Sequence, residues 1–384
     1  MSAFRLRKFW RDVHLWIGIC LTIVFIPLGL SGSWLVFDDS FDHLLHPHRY
    51  QASVGDTELP ASRYLAAAQQ AFGARIHVAQ LRMPEDQGQP AVATAISGDT
   101  AWLDPVSGKV LDQGNPRREL RAMAHQFHET LFMARTGRQV VGWLGVAMFI
   151  SSVTGLITWW PRNNALLKAL RWRRSPLVWS NIHHLIGFWS CLFLAILSLT
   201  GVTLAFPQLL RPGSDGRGGG ERFGGGPRGR FVLAPPLASP HLTADQAVDA
   251  AEKSAGASDF ESVRLPTQSG KTDSTGPAWQ VVVLGQEGPK TVLVDDQTGQ
   301  ARASERDFGG FGFGGPPRAG GRGGERGFGP PPAARAVRWL HAGNDAPMIW
   351  RVLIFVVGLV PTILGVTGVV VWLRTRRRPE LQPS

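Results

Sequence analysis

Four of the eleven histidines stand at matched positions in a pattern that occurs twice along the chain, His14 with His183 and His128 with His341. An imidazole beside a membrane helix is costly to bury without a partner, and it is a favoured axial ligand for haem iron. A single histidine of this kind is more often an interfacial polar residue. Two at equivalent places in a duplicated helix reverse that weighting, because one haem takes a ligand from each side. Gly18 and Gly187 follow four positions after His14 and His183, on the same helical face, where the missing Cβ lets a porphyrin approach the backbone. His14 and His183 are therefore expected to hold an inner haem, and His128 and His341 an outer one. His125, three residues before His128, and His184, beside His183, are the alternative ligands or supporting partners, and neither has a histidine counterpart in the other copy.

A second group with chemical potential is Asp38, Asp39, Asp42, His43, His46 and His48. Carboxylates and imidazoles of this kind can bind a divalent metal, with Asp38, Asp42, His43 and His46 as the candidate set. The corresponding place in the second copy holds Phe206, Pro207 and Gln208, so the plainer reading is a solvated connection in which Pro47 ends a helix. Other chemistries are excluded. Only Cys20 and Cys191 occur, without a Cys-x-x-Cys-His for covalent haem or a cysteine cluster for iron and sulfur, so both haems would be non-covalent and b-type. No phosphate-cradling loop or nucleic-acid motif is present.

The elements that must position these residues are four long uncharged blocks. Positions 15–37 carry no charge, and the stretches 140–160, 185–210 and 352–373 are similarly apolar, each long enough to cross a bilayer as a helix. The first exceeds a typical signal-peptide core and lacks an A-x-A-like cleavage site, so it is read as a retained anchor. Arg5, Arg7, Lys8 and Arg11 precede the first block, Arg162, Lys168, Arg171, Arg173 and Arg174 follow the second, and Arg374, Arg376, Arg377 and Arg378 follow the fourth. Basic flanks stay in the cytoplasm, which places both termini inside and accounts for most of the net charge of +11 without invoking nucleic acid.

The blocks repeat. The segment beginning at Asp12 aligns without gaps on the one beginning at Asn181, bringing Gly32 onto Gly201 and Phe37 onto Phe206. Arg138, Thr154, Gly155 and Trp159 fall likewise on Arg351, Thr367, Gly368 and Trp372. Two helices duplicated as two more share one orientation, so the copies are expected to be parallel repeats about an axis along the membrane normal. Between the helices of each copy, residues 60–80 and 242–260 read as capped helices followed by alternating strands. Asp104 and Gly108, and again Asp295 and Gly299, mark a turn between strands. Residues 213–231 and 308–335 are too rich in Gly and Pro to bury much surface and are expected to be flexible loops, their interleaved Arg and Phe offering contacts for an anionic aromatic ligand.

These motifs together resemble the PepSY-associated transmembrane family, to which iron-regulated membrane reductases of ferric siderophores belong. The resemblance runs from HLWIG at His14 through FHETL, in which His128 stands, TGLITWWPR at Thr154, IHHLIGFW at Ile182 and WLHAG at Trp339 to VTGVVVWL at Val366. It implies an α-helical integral membrane protein with four transmembrane helices in two parallel repeats and two small periplasmic α+β PepSY-like domains. The expected boundaries are a first transmembrane helix at 12–37, a PepSY-like domain at 38–120, an interfacial helix and second transmembrane helix at 121–160, a cytoplasmic loop at 161–180, a third transmembrane helix at 181–207, a second PepSY-like domain at 208–335, an interfacial segment with the fourth transmembrane helix at 336–373, and a cytoplasmic tail at 374–384. The implied function is passage of electrons across the bacterial inner membrane to iron held by a siderophore in the periplasm. The short inner loops contain no flavin or nicotinamide domain, so the donor is expected to be a quinol or a separate cytoplasmic reductase. The competing expectation is a haem-free membrane sensor or chaperone whose paired domains bind peptides or restrain proteases, which leaves the matched histidines without a role.

Overall fold

The computed structural model describes residues 3–55, 59–84, 86–133, 136–161, 175–210, 235–257, 259–267, 276–285, 288–304 and 332–376. The basic loop at 162–174, Arg377, Arg378 and the segment 213–231 lie outside the described residues. Most of 308–335 does too, but its last residues open a helix, because Pro332 fits a first helical turn and the Ala-rich run after it favours helix. The chain forms two compact units, one of residues 1–38, 123–228 and 328–384, the other of residues 39–122 and 229–327.

Among the described residues the first unit contains four helices long and apolar enough to span a membrane, within α1 (Ala3–Val36), α5 (Gly137–Trp159), α6 (Val178–Ala205) and α9 (Met348–Arg376). The shortest has 23 residues and is about 35 Å long, against a hydrocarbon layer of roughly 30 Å. In lipid a helix satisfies its own backbone, so these segments need no polar partner along their length. Ile23, Leu192 and Ile349 accordingly face outward, exposed. Small residues let the helices close on one another. A Cβ at Gly29 would stand 2.5 Å from the Gly358 carbonyl oxygen, and one at Gly145 would stand 2.9 Å from a Val202 methyl. Ser33 adds a hydrogen bond across the α1–α9 contact, its hydroxyl donating to the Phe355 carbonyl at 2.9 Å.

Two short helices, α4 (Leu120–Thr130) and α8 (Pro332–Ala342), precede α5 and α9. Both end where the backbone leaves the helical region. After α4 the chain turns through positive φ at Leu131 and Phe132, and Gly137 packs so close to Thr130 that a Cβ would lie 2.0 Å from its carbonyl oxygen. After α8, Gly343 takes φ 73° and Pro347 immediately precedes α9.

The second unit is a layer of helices on a sheet, joined to α1 through α2 (Asp38–Leu45). Each module supplies one helix and four strands: α3 (Ala61–Phe72) with β1 (Val78–Arg82), β2 (Ala91–Ala95), β3 (Thr100–Leu103) and β4 (Val110–Gly114), then α7 (Ala244–Ala255) with β5 (Phe260–Arg264), β6 (Ala278–Gly285), β7 (Gly288–Asp295) and β8 (Ala301–Ala303). The modules do not stand apart. Edge strands β1 and β5 pair antiparallel, Leu81 opposite Val263, so that one sheet runs in the order β4-β3-β2-β1-β5-β6-β7-β8. Pairing the two edges removes the unpaired backbone that each module would otherwise expose. A single core follows, with Tyr64 and Ala68 of α3 and Ala247 and Ala251 of α7 buried on Leu81, Val263 and Val281. Only α7 carries a side-chain cap, a capping box between Thr243 and Gln246; at α3 the cap position is Pro60. The turns at Asp104 and Asp295 form as predicted, each aspartate accepting from amides two and three residues on, and Gly108 and Gly299 taking φ of 71° and 70°.

Candidate functional site

The membrane unit gathers the four predicted histidines into two pairs. His14 on α1 and His183 on α6 have ring centres 6.3 Å apart, and His128 on α4 and His341 on α8 have theirs 6.2 Å apart. A metal–imidazole bond of about 2 Å, extended by roughly 1 Å from ring nitrogen to ring centre, puts two imidazoles on opposite sides of one metal about 6 Å apart. Both pairs have that spacing. His128 packs on Gly32, which lies 18 residues beyond His14 on α1 (32 − 14), or about 27 Å along the helix. The two pairs thus stand at two levels separated by nearly a hydrocarbon thickness.

Every one of these rings is held by its Nδ1. The His14 Nδ1–H donates to the Ser151 carbonyl at 3.0 Å, with the Thr154 hydroxyl oxygen at 3.4 Å, and His183 donates to the Thr367 hydroxyl oxygen at 2.9 Å. At the other level His128 donates to the Leu28 carbonyl at 3.0 Å beside the Ser31 hydroxyl at 3.3 Å. His341 donates to the Leu197 carbonyl at 3.0 Å and the Thr200 hydroxyl oxygen at 3.0 Å. A carbonyl oxygen can only accept, so on His14, His128 and His341 the proton is fixed on Nδ1 and Nε2 is the nitrogen left to bind a metal; His183 is held the same way, because the Thr367 hydroxyl donates its own proton to the Ile363 carbonyl at 2.7 Å and so accepts from Nδ1. Each hydroxyl residue is followed by a glycine whose absent Cβ makes room for the ring: a Cβ at Gly32, Gly155, Gly201 or Gly368 would meet the imidazole Cε1 at 2.6 to 3.2 Å. The sequence displays this device as four Ser-Gly or Thr-Gly dipeptides at matched places. Their alignment is legible; their service to the histidines is not, because each hydroxyl sits on a different helix from the ring it holds.

Space for a flat ligand exists beside the first pair. A Cβ added at Gly18 meets nothing within 4 Å, and one at Gly187 meets only a Leu364 methyl at 3.8 Å. His125 stands 3.6 Å from the Glu129 carboxylate, largely exposed, and His184 has its ring centre 6.4 Å from that of His183.

A family model for the PepSY-associated transmembrane region matches residues 11–375, which takes in both histidine pairs, all four long helices and the whole sheet. The chain belongs to that family. No curated protein matches it closely. In this PepSY-associated transmembrane protein the arginines ten residues beyond the outer histidines diverge: Arg351 donates to the Val36 carbonyl at the end of α1, whereas Arg138 pairs with Glu129.

The acidic and histidine-rich segment after α1 resolves differently from its sequence reading as a metal set. Asp42 and His46 do converge, together with Glu119, within 4.8 Å; Asp38 and His43 are not part of that group. The cation around which the carboxylates gather is Arg49, which sequence reasoning passed over. Its buried guanidinium bonds Asp42 at 3.2 Å, Asp112 at 3.1 Å and Glu119 at 2.9 Å, and lies 3.5 Å over the Trp102 ring. Burial acts to raise the Asp42 carboxyl, but hydrogen bonds from Tyr50 and His46 and the charge of Arg49 outweigh it and hold the group below the usual carboxylate range. Burial and the Asp42 carboxylate push the Tyr50 hydroxyl upward. Asp39 pairs with Arg121 at 3.0 Å, and His43 stacks on Tyr50 at 3.5 Å. Arginine thus already supplies the positive charge that a divalent ion would have brought.

Proposed function

We propose that this protein is a haem-containing electron-transfer protein of a bacterial cytoplasmic membrane that reduces iron(III) held by siderophores on the periplasmic side. The observation that carries the reading is the matched pair of histidine pairs, each at the spacing two axial ligands require and each with Nδ1 already committed. His14 and His183 would hold the inner haem, and His128 and His341 the outer one. A b-type haem at each level would supply a one-electron carrier. The chain's own contribution is to fix the ring orientations, keep water from the apolar layer and space the two levels across it. The Lys and Arg asymmetry supports cytoplasmic termini and a periplasmic sheet unit, with the two copies as parallel repeats. Reporters fused after Gln113 should then read periplasm, and one fused within 163–175 should read cytoplasm.

Each iron(III) takes up one electron and leaves as iron(II), whose lower charge weakens its hold on hard oxygen donors, so the siderophore is released intact. A quinol donor gives two electrons and two protons, enough for two irons; a cytoplasmic reductase would deliver them from a nicotinamide or flavin source. The test is the absorption spectrum of the full chain purified after expression with ample haem, followed by trapping of iron(II) by an external chelator when a ferric siderophore is added to reduced protein. A Soret band and chelator colour support the reading. Absence of the band sinks it and favours the haem-free sensor or chaperone, for which the independently cored sheet unit is the supporting observation.

A further inference from the structure

We propose that Ser31, Thr154, Thr200 and Thr367 are positioning residues that set the tautomer and orientation of the four histidines and, through them, the reduction potential of the haems they would hold, an inference that rests on the haem reading above. The geometry at the four positions is one device used four times. Each hydroxyl spends its own proton on a carbonyl of its helix: Thr154 on Ile150, Thr200 on Ile196 and Thr367 on Ile363, at 2.7 to 2.8 Å, and Ser31 on Leu28 at 2.9 Å. The hydroxyl oxygen is then an acceptor toward Nδ1 and cannot donate to it. At three of the four positions the ring also reaches the carbonyl three residues before the hydroxyl, from Leu28, Ser151 or Leu197. The following glycine lets the ring lie close enough to use both acceptors.

An Nδ1–H given to acceptors in an apolar setting shifts electron density toward Nε2, which makes it a stronger donor to iron(III) and lowers the potential. Because both ligands at a level are held this way, both push in the same direction. A purely structural role, tying helices together, would leave the potential unmoved.

The test uses the full chain carrying Thr367→Val, which keeps the shape and removes the acceptor, and Thr367→Ser, which restores it. Spectroelectrochemical titration of the bound haem is the readout, with no substrate present. Thr367→Val should raise one of the two midpoint potentials, with a roughly tenfold change in the reduction equilibrium corresponding to about 59 mV for one electron. Thr367→Ser should return it. An unmoved potential in Thr367→Val at full haem content, or equal shifts in both variants, overturns the inference while leaving the haem reading intact. A wild-type chain without haem overturns the reading itself. If Thr367→Val does not retain haem, Thr200→Val, which acts on His341 at the other level, decides by the same criteria.

Discussion

The two units treat buried polar groups in opposite ways. In the membrane unit the histidine surroundings recur in both copies: a hydroxyl and the glycine after it stand at each ring, and a carbonyl three residues before the hydroxyl at three of the four. In the sheet unit the copies share their strands and turns but not their polar interiors. The first module buries Arg49 among Asp42, Asp112 and Glu119; the second buries Asp296, which accepts from the His241 and Leu242 amides and the Trp279 indole. A scaffold tolerates different solutions to the same burial problem, because any satisfied network serves. A ligand pair completed by both copies does not, since each side must offer the same nitrogen at the same distance. Even within the membrane unit, Arg138 and Arg351 diverge. Identity is kept around the imidazoles, where the proposed chemistry lies.

The largest test of this contrast removes the outer pair. Replacing His128 and His341 together by Ala should cut haem content by about half, leave the inner pair's spectrum in place and reduce iron(II) trapping to background. The reason is positional: in the proposed topology the His14–His183 level lies about 27 Å along the helix from the other, so electrons would need a relay to reach an external substrate. Unchanged haem and rate would break the assignment and turn attention to His125.

Next in size is the sheet unit's own network. Arg49→Met leaves the buried Asp42 and the half-buried Glu119 without their cation, a loss expected to cost about 3 to 5 kcal/mol. Thermal unfolding or hydrogen exchange should show the sheet unit loosened, while haem content and midpoint potentials stay as in the wild type. A fall in haem content of the folded protein would mean that the polar interior of the first module serves the cofactor after all.

How much of this was legible follows the range of the interactions. The four membrane helices are written in local composition. The histidine pairing was visible because a repeat converts a long-range contact into a matched position. Nothing local announces that β1 pairs with β5, since Leu81 and Val263 lie 182 positions apart (263 − 81) with two membrane-spanning helices between them. Arg49 was missed for the same reason: in PHRY it reads as a solvated cation, and Asp112 and Glu119 lie far along the sequence. The last membrane feature, open space at Gly18, gives a smaller and cleaner test. The Cβ of Gly18→Leu meets nothing within 4 Å, and the change removes a helix-interior glycine worth roughly 1 kcal/mol of instability, so the fold should hold or gain slightly. The inner haem should nevertheless be lost, as read from the absorbance per chain. Full retention would mean that the porphyrin does not approach that face.

The smallest expected effect compares matched turns in the two modules. Burial acts to raise the Asp104 carboxyl, but bonds from the Ser107, Ser53 and Val106 amides and the Ser53 hydroxyl bring it down to about 2. Asp295 is also held below its ordinary value, chiefly by the Thr298 amide, and the hydrogen bonds its carboxylate accepts come from Gln297 and Thr298 of its own turn. For a carboxyl whose folded value lies below the unfolded one, near 3.9, the unfolded chain binds more protons in between. The stabilisation is therefore complete above about pH 4 and disappears as the pH falls toward 2. Hydrogen exchange across β3 and β4 should show Asp104→Asn weaker than wild type at neutral pH, with the two converging as the pH drops through that window. Asp295→Asn should lose less at β7 and β8, because it frees no distant segment comparable to the one Asp104 ties down at Ser53. Equal losses in the two modules would show that the turn alone, rather than the bond to Ser53, carries the stabilisation.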